Sequence, residues 1–155
     1  MLGILSQICG MSLPRKWFNH NAFPFRTYSW EKDGKVYDLL KIRGWKTKLP
    51  DVSRVIKKMA PKQIKGRPDK ETLEKMLAET CVAELIHGLL MVFGWGCAFV
   101  WHGIGGVTVS IIYMIGNVPF IMIQRYNRPR HRALLAKQEK TYFTTENGGS
   151  YESAK

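Results

Sequence analysis

Three residues of one short stretch have the types and spacing for acid–base work: Thr80, Glu84 and His87. Steps of four and three residues put them on one helical stripe. A carboxylate one turn before an imidazole can fix its tautomer, leaving the second nitrogen to take a proton from a hydroxyl. The competing reading is a polar patch at a helix entrance, with Glu84 solvated. Asn117 is the second candidate, with Tyr113 one turn before it and Gln124 two turns after. Within an apolar segment it reads either as an interhelical hydrogen bond or as a substrate or oxyanion contact. The third is Gln124 to Arg132 (QRYNRPRHR), where Arg125, Arg128, Arg130 and Arg132 are joined by Tyr126 and Asn127. Planar guanidinium groups fit phosphates in bidentate fashion; the same arginines would equally anchor the end of a membrane span. Arg128-Pro129-Arg130 is expected to interrupt a continuous helix.

The elements that must position these residues follow from where charge is missing. All 24 Lys and Arg and all 12 Asp and Glu lie outside Leu85 to Gln124, a run of 40 residues. A mean hydropathy of −0.19 conceals this run. A soluble helix shows one face to water and does not stay uncharged so long. The expected fold is mainly α, an integral membrane protein with a two-helix transmembrane hairpin. Asp69 is placed to cap the entry helix, with Glu71 in its first turn. Leu85 to Trp101 reads as one span and Val107 to Ile123 as the other, each 17 residues and at the short end for a crossing. His102 to Gly106 reads as the turn, and Pro119 as a kink in the return span.

Residues 1–13 (MLGILSQICGMSL) are apolar but too short to cross, and read as an interfacial segment or part of a longer helix. Residues 14–68 interleave Phe18, Phe23, Phe25, Tyr28 and Trp30 with Arg15, Lys16 and Arg26, as suits a cytoplasmic membrane interface. Asp33-Gly34 permits a hairpin, but Val36, Tyr37, Leu40 and Lys41 favour a short amphipathic helix. Pro50 with Asp51 closes that unit, and Pro61, Gly66 and Pro68 mark a linker. Residues 69–124 hold the entry helix and the hairpin, and 125–155 a basic cytoplasmic tail, expected to be disordered from Thr141. Basic residues number 17 before the hairpin and 7 after it, with none in its turn, so both flanks are expected on the cytoplasmic side.

The net charge of +12 points to anionic headgroups beside a span rather than to nucleic acid, for which no recognition motif is present. Cys9, Cys81 and Cys97 have neither metal-ligand nor CxxC spacing. No His-x4-Asp pattern, G-x-S-x-G elbow, P-loop or dinucleotide fingerprint occurs, so neither metal nor cofactor is expected.

Three blocks carry a resemblance: IRGWKTKLPD (Ile42 to Asp51), EKMLAETCVAELIHG (Glu74 to Gly88) and GNVPFIMIQRYNRPR (Gly116 to Arg130). In order and spacing, from about Pro14 to Leu135, the sequence resembles the glycosyl-4,4'-diaponeurosporenoate acyltransferases, small membrane enzymes of staphyloxanthin-type carotenoid synthesis. The resemblance implies transfer of a fatty acyl group to a sugar hydroxyl of a glycosylated carotenoid or another glycolipid. The donor would be a thioester on coenzyme A or on acyl carrier protein, its phosphate meeting the arginines. His87 oriented by Glu84 would be the base, Asn117 or Arg125 would steady the oxyanion, and Thr80, Trp45 and Gln124 to Arg130 would contact substrate. The alternative is a non-catalytic membrane scaffold or lipid-binding subunit. Either would sit among membrane lipids, and with two spans self-association or docking onto partner enzymes is expected.

Overall fold

The structure is a computed structural model that describes residues 10, 12–46 and 68–148. These residues are mainly helical and contain no strand. A single turn at Arg15–Trp17 and a kinked six-residue 3-10 stretch at Ser29–Gly34 lead into two four-residue helices, α1 (Val36–Leu39) and α2 (Ile42–Trp45). Three further helices follow: α3 (Lys70–Trp95), the short α4 (Cys97–Val100) and α5 (Ile104–Gly148). Most of the apolar segment before Ser12, the closing unit at Pro50 and Asp51, and the linker residues Pro61 and Gly66 lie outside the described residues.

Helix α3 starts where its sequence says it should. The Asp69 carboxylate accepts from the Thr72 amide at 3.4 Å, and Glu71 sits in the positive first turn. Leu73, Leu77, Thr80, Cys81 and Glu84 form its buried stripe. Beyond Glu84 the outer face turns apolar, with Leu89, Val92, Phe93 and Trp95 exposed. Lys70–Val100 and Ile104–Thr144 are each long and apolar enough to cross a membrane. Only 22% of the apolar window in the second is buried, against the mostly buried surface of a soluble core helix.

α3 and α5 pack antiparallel, and their register can be read from five pairs. Gly94 meets Tyr113, His87 meets Asn117, Glu84 meets Arg125, Thr80 meets Arg128, and Lys70 meets Glu139. The turn is tighter than the expected His102 to Gly106. The chain reverses at Trp101–Gly103, with Gly103 at φ +105°, and Gly105 and Gly106 already belong to α5. Their role is close approach: Gly106 lies against the Trp101 carbonyl where a Cβ has no room.

Two further expectations about α5 are corrected. The helix runs through both Pro119 and Pro129 instead of ending at Arg128-Pro129-Arg130. A proline removes one ladder bond, the one to the carbonyl four residues before it, and α5 continues past both; two side chains also bond to other carbonyls of the helix. Arg130 Nη1 donates to Tyr126 O at 2.7 Å, and Asn117 Nδ2 donates to Tyr113 O at 2.8 Å. Where disorder was expected from Thr141, the chain is helical as far as Gly148, the last described residue; residues 149–155 lie outside the described residues. Tertiary tethers hold the helix as far as Glu139: Lys70 Nζ pairs with Glu139 at 3.0 Å, and Gln138 donates to the Pro68 carbonyl.

Residues 12–46 form an arm across the base of this pair. Leu13 and Phe18 pack on Val82, Ile86 and Leu90 of α3, while Arg15 grips Glu79 through two bonds of 2.9 and 3.2 Å. Further along, Tyr37 and Ile42 pack on Ile123 and Tyr126 of α5. The expected short helix forms at Val36–Leu39 rather than a hairpin. Gly34, at φ +85°, turns the chain against Pro129 and Arg130.

At Gly94 α3 and α5 approach closely, since a Cβ there would run into the Tyr113 ring. Gly94→Leu is expected to cost about 1–3 kcal/mol by overpacking. Thermal unfolding in detergent, with Gly94→Leu/Tyr113→Ala recovering part of the loss, checks the contact.

Candidate functional site

His87 faces α5 one turn beyond the last charged residue of α3. Its Nδ1 lies 2.9 Å from Asn117 Oδ1, and its ring stacks on Phe120 with centroids 4.6 Å apart and planes 7° apart. The amide orientation follows from its other end. Asn117 Nδ2 donates to the Tyr113 carbonyl, so Oδ1 is the atom turned to His87 and accepts from Nδ1–H. That tautomer leaves the lone pair on Nε2, the form a general base needs.

The partner expected for His87 was Glu84, and here the structure corrects the sequence reading. Glu84 Oε1 accepts from Arg125 Nε at 2.7 Å, and Oε2 accepts from Arg128 Nη2 at 2.5 Å. A buried carboxylate gains far more from two guanidinium charges than from a neutral imidazole. Asn117 takes the orienting place at His87 that the spacing assigned to Glu84.

The arginines likewise do different work from that expected. Arg128 is 1% exposed. Its Nε donates to Thr80 Oγ1 at 3.1 Å, Nη1 to the Phe25 carbonyl, and Nη2 to Thr80 O at 3.2 Å and to Glu84. Arg125 Nη1 donates to Glu31 Oε1 at 3.1 Å, and Nη2 donates to Pro24 O at 3.0 Å. Glu31 also accepts the Tyr37 hydroxyl at 2.5 Å and the Tyr28 amide at 2.7 Å. Two arginines and two glutamates thus balance in one buried network that joins arm, α3 and α5. Neither Arg125 nor Arg128 stands open to a phosphate.

The remaining candidates are also engaged. Thr80 donates to Leu77 O while accepting from Arg128. Asn127 Oδ1 accepts from Lys46 Nζ at 3.0 Å. Arg130 pairs with Asp38 at 2.8 Å and lies over the buried Tyr126 ring at 3.5 Å. Trp45 packs against the Tyr37–Ile42–Ile123–Tyr126 cluster and donates Nε1 to Leu40 O. Gln124 is half-buried one residue before Arg125. Sequence reasoning missed Glu31, Tyr37 and Phe120. Phe120 at Asn117+3 had a helical-spacing signal; Glu31 and Tyr37 act from far along the chain and had none.

Removing one member of the network leaves a buried charge unpaired. Glu84→Gln and Arg128→Ala should each cost about 3–5 kcal/mol, whereas Arg130→Ala, at a half-open pair, should cost under about 1 kcal/mol. Chemical unfolding in detergent separates the two classes. Burial, and then the bond to Glu31, push the Tyr37 hydroxyl well above its ordinary value. A raised folded pKa gives stability fully present below about pH 10, the unfolded value, and lost at higher pH as the unfolded chain ionises first. Tyr37→Phe should therefore flatten the fall in melting temperature above that pH.

Residues 14–137 match a protein family described as glycosyl-4,4'-diaponeurosporenoate acyltransferase. The chain is 33% identical over 132 residues to proteins of that name from Staphylococcus aureus strains bovine RF122 / ET3-1, N315 and USA300, covering 81% of this chain and 76% of each relative. No solved structure matches it. The matched region runs from the arm through α3 to the basic half of α5 and so takes in His87, Asn117 and the whole charge network. This chain belongs to the glycosyl-4,4'-diaponeurosporenoate acyltransferase family and is an acyltransferase.

Proposed function

We propose that the chain is a multi-pass membrane enzyme that moves a fatty acyl group from a thioester donor to a sugar hydroxyl of a glycosylated carotenoid or a similar glycolipid. Donor chemistry would be acyl-CoA or acyl carrier protein, reached from the cytoplasmic side that both basic flanks favour. The family supports the reaction class and the kind of acceptor. The observation that carries the site is the His87–Asn117–Tyr113 relay, which starts at His87 near the charged end of the uncharged run and reaches into it. An acceptor with a long apolar body and a sugar head would rest its body among lipid chains and its head near that depth.

In this scheme His87 Nε2 takes the proton of the sugar hydroxyl as its oxygen attacks the thioester carbonyl. The tetrahedral intermediate then collapses, the carbon–sulfur bond breaks, and the leaving thiolate takes the proton back from the imidazolium. Asn117 acts as a positioning residue rather than an oxyanion donor, because both ends of its amide are already engaged. Phe120 holds the ring plane by stacking. Glu84, Arg125 and Arg128 act at a distance, by fixing α3 against α5 so that the relay stays in register.

Expression in a host that makes a glycosylated carotenoid, with mass spectrometry of its lipids, tests this directly. Wild type should add a fatty-acyl mass increment. His87→Ala should reduce the rate by about a hundred- to ten-thousand-fold, with Asn117→Ala between the two and both variants still folded. An undiminished His87→Ala would remove the base role. A well-expressed wild type that adds nothing would remove this acceptor.

A further inference from the structure

The hydrogen bonds that tie the arm to α5 gather at one level of that helix. Arg125, Asn127, Arg130 and Arg132 all bond to the arm, through Glu31 and Pro24, Lys46, Asp38, and Thr27. These positions lie within about 12 Å along α5 of the last residue in the uncharged run, at 1.5 Å per residue. If the hairpin crosses a bilayer, the arm lies where headgroups meet acyl chains. Its outer surface suits that place. Trp17, Phe23 and Leu39 are 72%, 78% and 82% exposed, and Trp30 and Leu40 are exposed with them. Lys16, Arg26, Lys32, Lys35, Lys41 and Arg43 are exposed too. Of the exposed acids on the arm, Asp38 is already paired with Arg130, which leaves a strong positive excess.

We infer that this arm is a collar that seats on the anionic leaflet surface, with Trp17, Phe23, Trp30 and Leu39 entering the interface and Arg26, Lys32 and Lys35 holding anionic phospholipid headgroups. Amphipathic aromatic rings and basic side chains together are the composition of such a belt. A soluble acidic partner would match the charge but would leave the aromatic and leucine surface without a counterpart. The inference rests on the membrane-spanning reading of the hairpin.

The test uses the full chain in nanodiscs, with single-tryptophan variants that keep Trp17, Trp30 or Trp95 and carry Phe at the others. Lipids brominated near the headgroup end of the acyl chain should quench Trp17 and Trp30, whereas bromines near the bilayer centre should quench Trp95. Brominated phosphatidylglycerol should quench the collar tryptophans at least twofold more than brominated phosphatidylcholine at equal mole fraction. Arg26→Gln/Lys32→Gln/Lys35→Gln should abolish that preference while leaving Trp95 quenching unchanged. Quenching of Trp95 without quenching of Trp17 and Trp30 would overturn the collar and keep the span; loss of all three would overturn the span itself. Equal quenching by both lipids, with salt-sensitive binding of acyl carrier protein that the triple variant loses, would assign the basic surface to a protein partner and overturn the inference.

Discussion

A guanidinium taken out of water must have its donors met, and Arg128 meets that demand by drawing on two other parts of the chain, α3 and the arm. It takes a hydroxyl and a carbonyl from Thr80, a carboxylate from Glu84 and a carbonyl from Phe25. Because losing Glu84 strands a buried charge and losing a neutral partner leaves a buried donor unmet, the helix pair and the arm are bound to one another at this level. The antiparallel register above it, and the tethers at Lys70 and Glu139 below, are consistent with that single fixed point. Arg125 repeats the arrangement one turn away, adding Glu31 and through it Tyr37.

The network also explains why the relay sits where it does. Charge stops at Glu84 on one helix and at Arg125 on the other. His87 lies one turn inside on α3 and Asn117 two turns inside on α5, joined across the pair and closed at the far end by the Tyr113 carbonyl. A polar group in an apolar segment is costly unless its bonds are made within the bundle. The geometry makes those bonds and at the same time sets which imidazole nitrogen carries the proton. Stability and the acid–base state of the candidate base are therefore met by the same contacts.

How much of this the sequence disclosed depends on the range over which each contact acts. The Asp69 cap, the uncharged run and the common face of Thr80, Glu84 and His87 are local, and each was legible. The identity of partners was not. An i,i+3 step suggested Glu84 for His87, but a stronger ion pair 41 residues away claimed the carboxylate. Pro129 suggested a break by its own backbone chemistry, yet α5 runs through it, held against α3 one residue earlier by the Arg128 contacts. Arginines beside a span read as phosphate ligands or anchors alike, and nothing nearby revealed that Glu31, 94 residues earlier, would take Arg125.

That charge balance also governs how the protein can change over generations. Glu31, Glu84, Arg125 and Arg128 come from three elements, yet each owes its tolerance in the interior to the others. A lineage that alters one of them passes through an intermediate with an unmatched buried ion, so drift at these sites proceeds by compensated pairs. Exchange of an arginine–glutamate pair for two well-packed apolar residues would be an accessible route. Descendants that took it would keep the hairpin register while losing the ionic signature by which the joint between arm and helices is recognised in this chain.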